Sequence, residues 1–186
     1  MTDRCESHGK FKALDKAYRE GDLDALRVAL GEPADFPNCR QDDVAVSDYP
    51  LEDAIYWSPL PFIAKLLEIG ADPNYPDRAG FPSLLATLST DRPDRQEILR
   101  LLLRHGADVQ QRGLNDWTPL HHAVWRRDLA GISLLLDHGA DLAARTRIDD
   151  YSTPLEDAEQ IGFTAAAELL REAANKSAGR RDATRS

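Results

Sequence analysis

The feature that most constrains this chain is a period. Three segments end alike: Leu66-Leu67-Glu68-Ile69-Gly70-Ala71-Asp72, Leu102-Leu103-Arg104-His105-Gly106-Ala107-Asp108 and Leu135-Leu136-Asp137-His138-Gly139-Ala140-Asp141. Their glycines lie 36 and 33 residues apart. A second anchor precedes each close: Tyr49-Pro50-Leu51-Glu52-Asp53-Ala54, Pro82-Ser83-Leu84-Leu85-Ala86-Thr87 and Thr118-Pro119-Leu120-His121-His122-Ala123, with a further copy at Thr153-Pro154-Leu155-Glu156-Asp157-Ala158. The two anchors keep register over 21, 24 and 21 residues. A period of this length means one small supersecondary unit, repeated and stacked on its neighbours.

The ends of the chain fit the same ruler. Gly21 matches Gly162, which lies nine residues after the anchor at Thr153, and the same step back from Gly21 reaches a degenerate anchor at Lys12-Ala13-Leu14. Five units therefore start near 12, 49, 82, 118 and 153. The pattern resembles the ankyrin repeat, with its Thr-Pro-Leu-His-x-Ala opening and Leu-Leu-x-x-Gly-Ala-Asp close. The resemblance runs from about residue 10 to 174, and only the unit at 118 carries the full opening. It implies an all-α fold, an α-solenoid of about five helix-turn-helix repeats with short finger loops. A flexible N-terminus is expected over 1–9 and a disordered basic tail over 175–186.

The residues explain the elements. Proline after Thr118 or Thr153 suits the first turn of a helix, where a missing N–H costs nothing, and the threonine can cap that turn. Ser58-Pro59 reads as a similar cap for the next helix. The second helix of each unit carries apolar residues at helical spacing, as in Ile63, Leu66, Leu67 and Ile98, Leu101, Leu102. Extra residues fall before the second unit, at Ser89–Asp94 in the third, and at Arg147–Ser152. Asp94-Arg95-Gln96-Glu97 reads as a capping box.

Composition excludes several functions. The chain carries 23 basic and 32 acidic residues in 186, a net charge of −9. Duplex binding is driven by cations on phosphates, so nucleic acid is not the expected partner. No run of eighteen apolar residues exists for a membrane span, and no secretory leader is read. Two cysteines make no disulfide framework, so a reducing cytoplasm is expected. Arginine outnumbers lysine 18 to 5, which suggests a bacterial source. The tail nets three positive charges, leaving −12 on the rest.

No enzyme is read. There is no metal-ligand spacing, phosphate loop or nucleophile elbow, and no cofactor is expected. The resemblance makes His121 a structural residue; His105 and His138 are equivalent repeat residues. Glu52-Asp53 and Glu156-Asp157 recur at equivalent positions and read as a solvated helix face. In the resembled proteins, partners dock on the concave side, beside the anchor. Those places hold Tyr56 and Trp57, Phe81, and Trp117, Trp125 and Arg126, with Phe11, Arg19, Glu20, Ser152 and Gln160 in the end units. Tryptophan, tyrosine and arginine are the residues most enriched in binding hot spots. Acids gather on the fingers: Asp42, Asp43 and Asp48; Asp77; Asp116; Asp149 and Asp150. Asp48 and Asp150 join the aromatics as candidate protein-binding residues. The expected function is non-catalytic protein binding, specifically an inhibitor or immunity-type protein for a basic partner, monomeric when free. The alternatives are an enzyme or small-molecule site near Trp117, His122 and Trp125, and a regulatory or adaptor subunit of one enzyme.

Overall fold

The structure, a computed structural model, describes residues 3–41, 48–75, 80–147 and 151–183. Among these, the regular elements are ten α-helices and one 3-10 turn. The chain divides into two compact units, Met1–Ala107 and Asp108–Ser186. The first holds α1 (Asp3–Glu20), α2 (Leu23–Leu30), α3 (Pro50–Trp57), α4 (Leu60–Glu68), α5 (Ser83–Ser89) and α6 (Arg95–Arg104). The second holds the 3-10 turn Leu114–Asp116, then α7 (Pro119–Trp125), α8 (Leu129–Asp137), α9 (Pro154–Gln160) and α10 (Thr164–Ala183).

Within each unit the helices pair and the pairs stack in two layers. In the first, α1 packs on α2 and α3, α3 on α4 and α5, and α6 on α4 and α5. In the second, α7 packs on α8 and α9, and α10 on both of those. The apolar spacing accounts for this: Ile63, Leu66, Ile98 and Leu102 are sealed inside the first unit, and Leu120, Ile132 and Leu135 inside the second. Each such side chain contributes about 1.5–3 kcal/mol by leaving water.

The Gly-Ala-Asp close stops the second helices by one repeated geometry. Ala71 N–H donates to Leu66 O at 2.9 Å and Gly70 N–H to Leu67 O at 3.1 Å. Ala107 and Ala140 repeat the pattern with Leu102 and Leu135. The glycine needs positive φ, +99° at Gly70, which costs it nothing. The aspartate then turns the chain, with Asp72 Oδ1 accepting from Asn74 N–H at 2.8 Å.

Repeats are then clamped by side-chain amides. Asn38 donates to Gly70 O at 2.9 Å and accepts from Asp72 N–H at 2.7 Å. Asn74 donates to Gly106 O at 3.0 Å. In the second unit Gln110 donates to Gly139 O at 3.0 Å and accepts from Asp141 N–H at 3.3 Å. Arginines do similar work on the first helices. Arg92, in the third repeat's insertion, donates to Ile55 O at 3.1 Å and Ser58 O at 2.6 Å. Arg127 donates to Ile161 O at 2.6 Å, and its guanidinium lies 5.2 Å from the Phe163 ring centroid.

Three expectations are corrected. Asp94 does not cap α6: Arg92 takes both its carboxylate oxygens, at 2.8 and 2.7 Å. That pairing also holds the Asp94 carboxyl below the usual carboxylate range. The reciprocal cap forms instead at Thr153 and Glu156, where Thr153 N–H donates to Glu156 at 2.7 Å. Ser58 caps nothing; α4 begins after Pro59. Glu52, Asp53 and Asp157 are not on a solvated face, being 4%, 4% and 2% exposed. For the two aspartates the fingers bring donors: Gln41 Nε2 to Asp53 at 3.2 Å, and the Ser152 hydroxyl to Asp157.

Helix also enters both terminal segments expected to lack structure. α1 starts at Asp3 and α10 reaches Ala183. Alanine, leucine, glutamate and arginine dominate α10, and no proline stops it.

Candidate protein-binding surface

Each finger returns to its first helix through one residue whose carbonyl is held. Asp48 O accepts from Gln41 N–H at 2.9 Å, Trp117 O from Gly113 N–H at 3.0 Å and Ser152 O from Thr146 N–H at 3.1 Å. Phe81 O accepts from the Tyr75 hydroxyl at 3.4 Å. This fixes Asp48, Phe81 and Trp117 at the finger bases, all three half-buried. Ser152, expected among the exposed places, is 9% exposed, because its hydroxyl turns inward to Asp157.

The first unit brings Tyr56 and Trp57 together at the end of α3, with ring centroids 6.4 Å apart. Trp57 is 47% exposed, and the Arg19 guanidinium of α1 lies 5.3 Å from its ring centroid. Phe11, on the same helix as Arg19, is 44% exposed.

The second unit brings Trp117 and Trp125 together. Their rings stack at 5.7 Å and 23°, and His122 meets Trp117 edge-on at 5.9 Å. Trp125 is 43% exposed, and Arg126 beside it is exposed. Burial, with help from the Arg126 charge, pushes the His122 imidazole down to about 4. It is therefore neutral near pH 7 and a poor proton acceptor there. A cavity of about 1010 Å³ in this unit lies beside α8 and α10, lined by residues that include Leu136, Leu142, Leu169 and Ala173 and do not include Trp117, His122 or Trp125.

His121 is wholly buried. Its Nε2 sits 3.1 Å from Ser152 O, which can only accept, so Nε2 carries the proton. Nδ1 then accepts from the Thr118 hydroxyl at 2.8 Å. Burial lowers its pKa, consistent with a neutral structural ring.

The finger acids divide. Asp42, Asp43, Asp77, Asp149 and Asp150 lie outside the described residues. The two described ones have arginine partners. Asp48 is 4.0 Å from Arg40, and Asp116 accepts from Arg112 at 2.7 Å and Arg147 at 2.9 Å. Much of the negative charge at these two positions is spent inside the protein.

The amide clamps went unread, although their signal stands in the sequence: Asn74 and Gln110 each lie two residues after the Gly-Ala-Asp aspartate. Among the described residues, no helix is long and apolar enough to cross a membrane.

A family model described as ankyrin repeats (three copies) matches residues 51–146 and again 94–180. Human ankyrin repeat and SOCS box protein 6 is 31% identical over 154 residues, 75% of this chain and 36% of that protein. XBAT35 of Arabidopsis thaliana is 36% identical over 105 residues, 55% of this chain and 22% of its own length. Human SH3 and multiple ankyrin repeat domains protein 1 is 35% identical over 77 residues, 41% of this chain and 4% of its own. The chain thus spans about a third or less of these relatives. They are eukaryotic and lend no support to a bacterial source.

Proposed function

The chain belongs to the ankyrin-repeat family, and from that premise we propose that it is a non-catalytic module that grips a partner protein through the exposed aromatics of its first helices and finger bases. Ankyrin repeats are protein-interaction modules and generally non-catalytic. The observation that carries the choice of residues is the exposure of Trp57 and Trp125, 47% and 43%, each beside a second aromatic ring. Exposed apolar groups mark interaction sites where they cluster, as Trp57 does with Tyr56 and Trp125 with Trp117. Tyr56, Phe81, Trp117 and Arg126 complete the proposed contact set, with Asp48 and Asp150 as its acidic members.

The finer reading is a stoichiometric inhibitor or immunity-type protein for a basic partner, monomeric when free and cytoplasmic. It rests on the net charge of −9. An adaptor role is the second reading. It is favoured by the coverage, since the matched repeats form only one segment of much longer relatives.

The test is affinity capture of the partner, then binding by the triple variant Trp57→Ala, Trp117→Ala, Trp125→Ala. Loss of binding with helicity retained is expected; undiminished affinity would overturn the reading. The on-rate should fall as salt screens a basic partner's attraction. A flat salt dependence removes the basic-partner reading and leaves the module.

A further inference from the structure

We propose that the indole face of Trp57 is a seat for an arginine side chain of the partner, and that Arg19 of the chain itself fills that seat until the partner's arginine displaces it. This rests on the reading above only for placing Trp57 on the binding surface.

Among the described residues, three arginines lie over aromatic rings, and they are not equivalent. Arg127 lies on Phe163 while donating to Ile161 O, 34 residues away, so it is tied into the repeat stack. Arg27 lies 5.8 Å from Phe36, whose ring belongs to the turn directly after its helix. Arg19 reaches from α1 to the last residue of α3. Its other contact among the described residues is Asp15, one turn back on its own helix, at 2.8 Å. Its side chain is 56% exposed. Moving it aside therefore breaks no backbone contact and uncovers a ring that is 47% exposed already.

What Arg19 would leave behind suits a second guanidinium. The indole offers its negative face, and Asp15, 40% exposed, offers a carboxylate beside it. Glu20 follows on the same helix, 3.9 Å from Lys16. The first unit carries thirteen basic and nineteen acidic residues, a net −6, so its field favours an incoming cation. A planar guanidinium can stack on the ring and fork to the carboxylate at once, which a lysine ammonium does less well. The exchange conserves the kind of contact made. Arg19 thereby sets the threshold a partner must exceed, and arginine supplies the specificity.

The experiment follows the indole N–H resonances of the intact, isotopically labelled protein, with the Trp57 signal assigned from Trp57→Phe. The probe is N-acetyl-arginine amide, with the citrulline and lysine amides as neutral and ammonium counterparts. Arginine amide should shift the Trp57 signal at a midpoint about three-fold lower in Arg19→Ala than in the parent, the size of an exposed cation–π contact. Asp15→Asn should weaken that binding, and citrulline amide should leave the signal in place. An unchanged midpoint in Arg19→Ala, or an equal response to citrulline or lysine amide, would overturn the proposal. If the seat behaves as expected while the triple tryptophan variant still binds its partner, the proposed function falls and the seat stands.

Discussion

The two units hold their fingers to their first helices with different chemistry. In the first, the Tyr18 hydroxyl donates to Gln41 Oε1 at 3.2 Å, and Gln41 Nε2 donates to Asp53 at 3.2 Å. In the second, His121 links Thr118 to Ser152 O, and the Ser152 hydroxyl bonds Asp157. The repeat demands only that the polar groups at this junction be satisfied, because a buried unpaired one costs about 1–3 kcal/mol. Each donor set brings a hydrogen bond to the buried aspartate of its junction, Asp53 or Asp157, so the sequences diverge while the geometry holds. The pH responses diverge too. Tyr18 is pushed well above 10, first by burial and then by Asp53, so it opposes ionisation in the first unit. The histidines are pushed down, so the second unit opposes protonation.

The largest expected effect breaks the units apart by pH. A histidine at about 4 when folded and near 6.5 when unfolded stabilises fully above 6.5. That stability is lost as pH falls from 6.5 through about 4, because only the unfolded chain takes up the proton. For His122 the loss is roughly 3 kcal/mol, and His121 adds in the same direction. Trp57→Phe leaves the tryptophans of the second unit as reporters, and Trp117→Phe with Trp125→Phe leaves that of the first. Acid denaturant titrations should show the second unit weakening over this window, and His122→Gln should remove much of the slope. At the other extreme, Tyr18 stabilises below pH 10 and that contribution is lost above it, so Tyr18→Phe should flatten the alkaline limb of the first unit alone.

A smaller effect is expected from Gln41→Ala. It strips the Tyr18 hydroxyl and Asp53 of their shared partner and should cost the first unit about 2 kcal/mol, read by denaturant unfolding of the Trp57 reporter. Equal weakening of both units would count against separate junction chemistries. The smallest effects come from the amide clamps. Asn38→Ala removes bonds of 2.9 and 2.7 Å, and Gln110→Ala removes bonds of 3.0 and 3.3 Å. Each should cost about 1 kcal/mol in its own unit, with Asn38 the more costly. The reverse order would show that clamp length does not govern its strength.

What was legible in the sequence was whatever repeats. Leu-Leu-x-x-Gly-Ala-Asp marks a helix end because glycine alone takes positive φ freely there, and that local rule survives packing. Asp94 was misread because Arg92, two residues away, competes for its carboxylate, and the sequence does not show which donor wins. Asp53 and Asp157 were misread because their burial depends on Gln41 and Ser152 arriving from fingers of irregular length. Trp57 and Trp125 could be placed on first helices by counting, but Arg19 on the Trp57 ring is a contact between helices that no period encodes.

The most direct measurement of the binding surface is hydroxyl-radical footprinting of the chain with and without its captured partner. Oxidation of Trp57 and Trp125 should fall sharply in the complex, while Val28, Ile69 and Leu129, exposed on or beside the second helices, keep their rates. Unchanged tryptophan oxidation with protection at Val28, Ile69 and Leu129 would place the partner on the second helices and contradict the proposed surface.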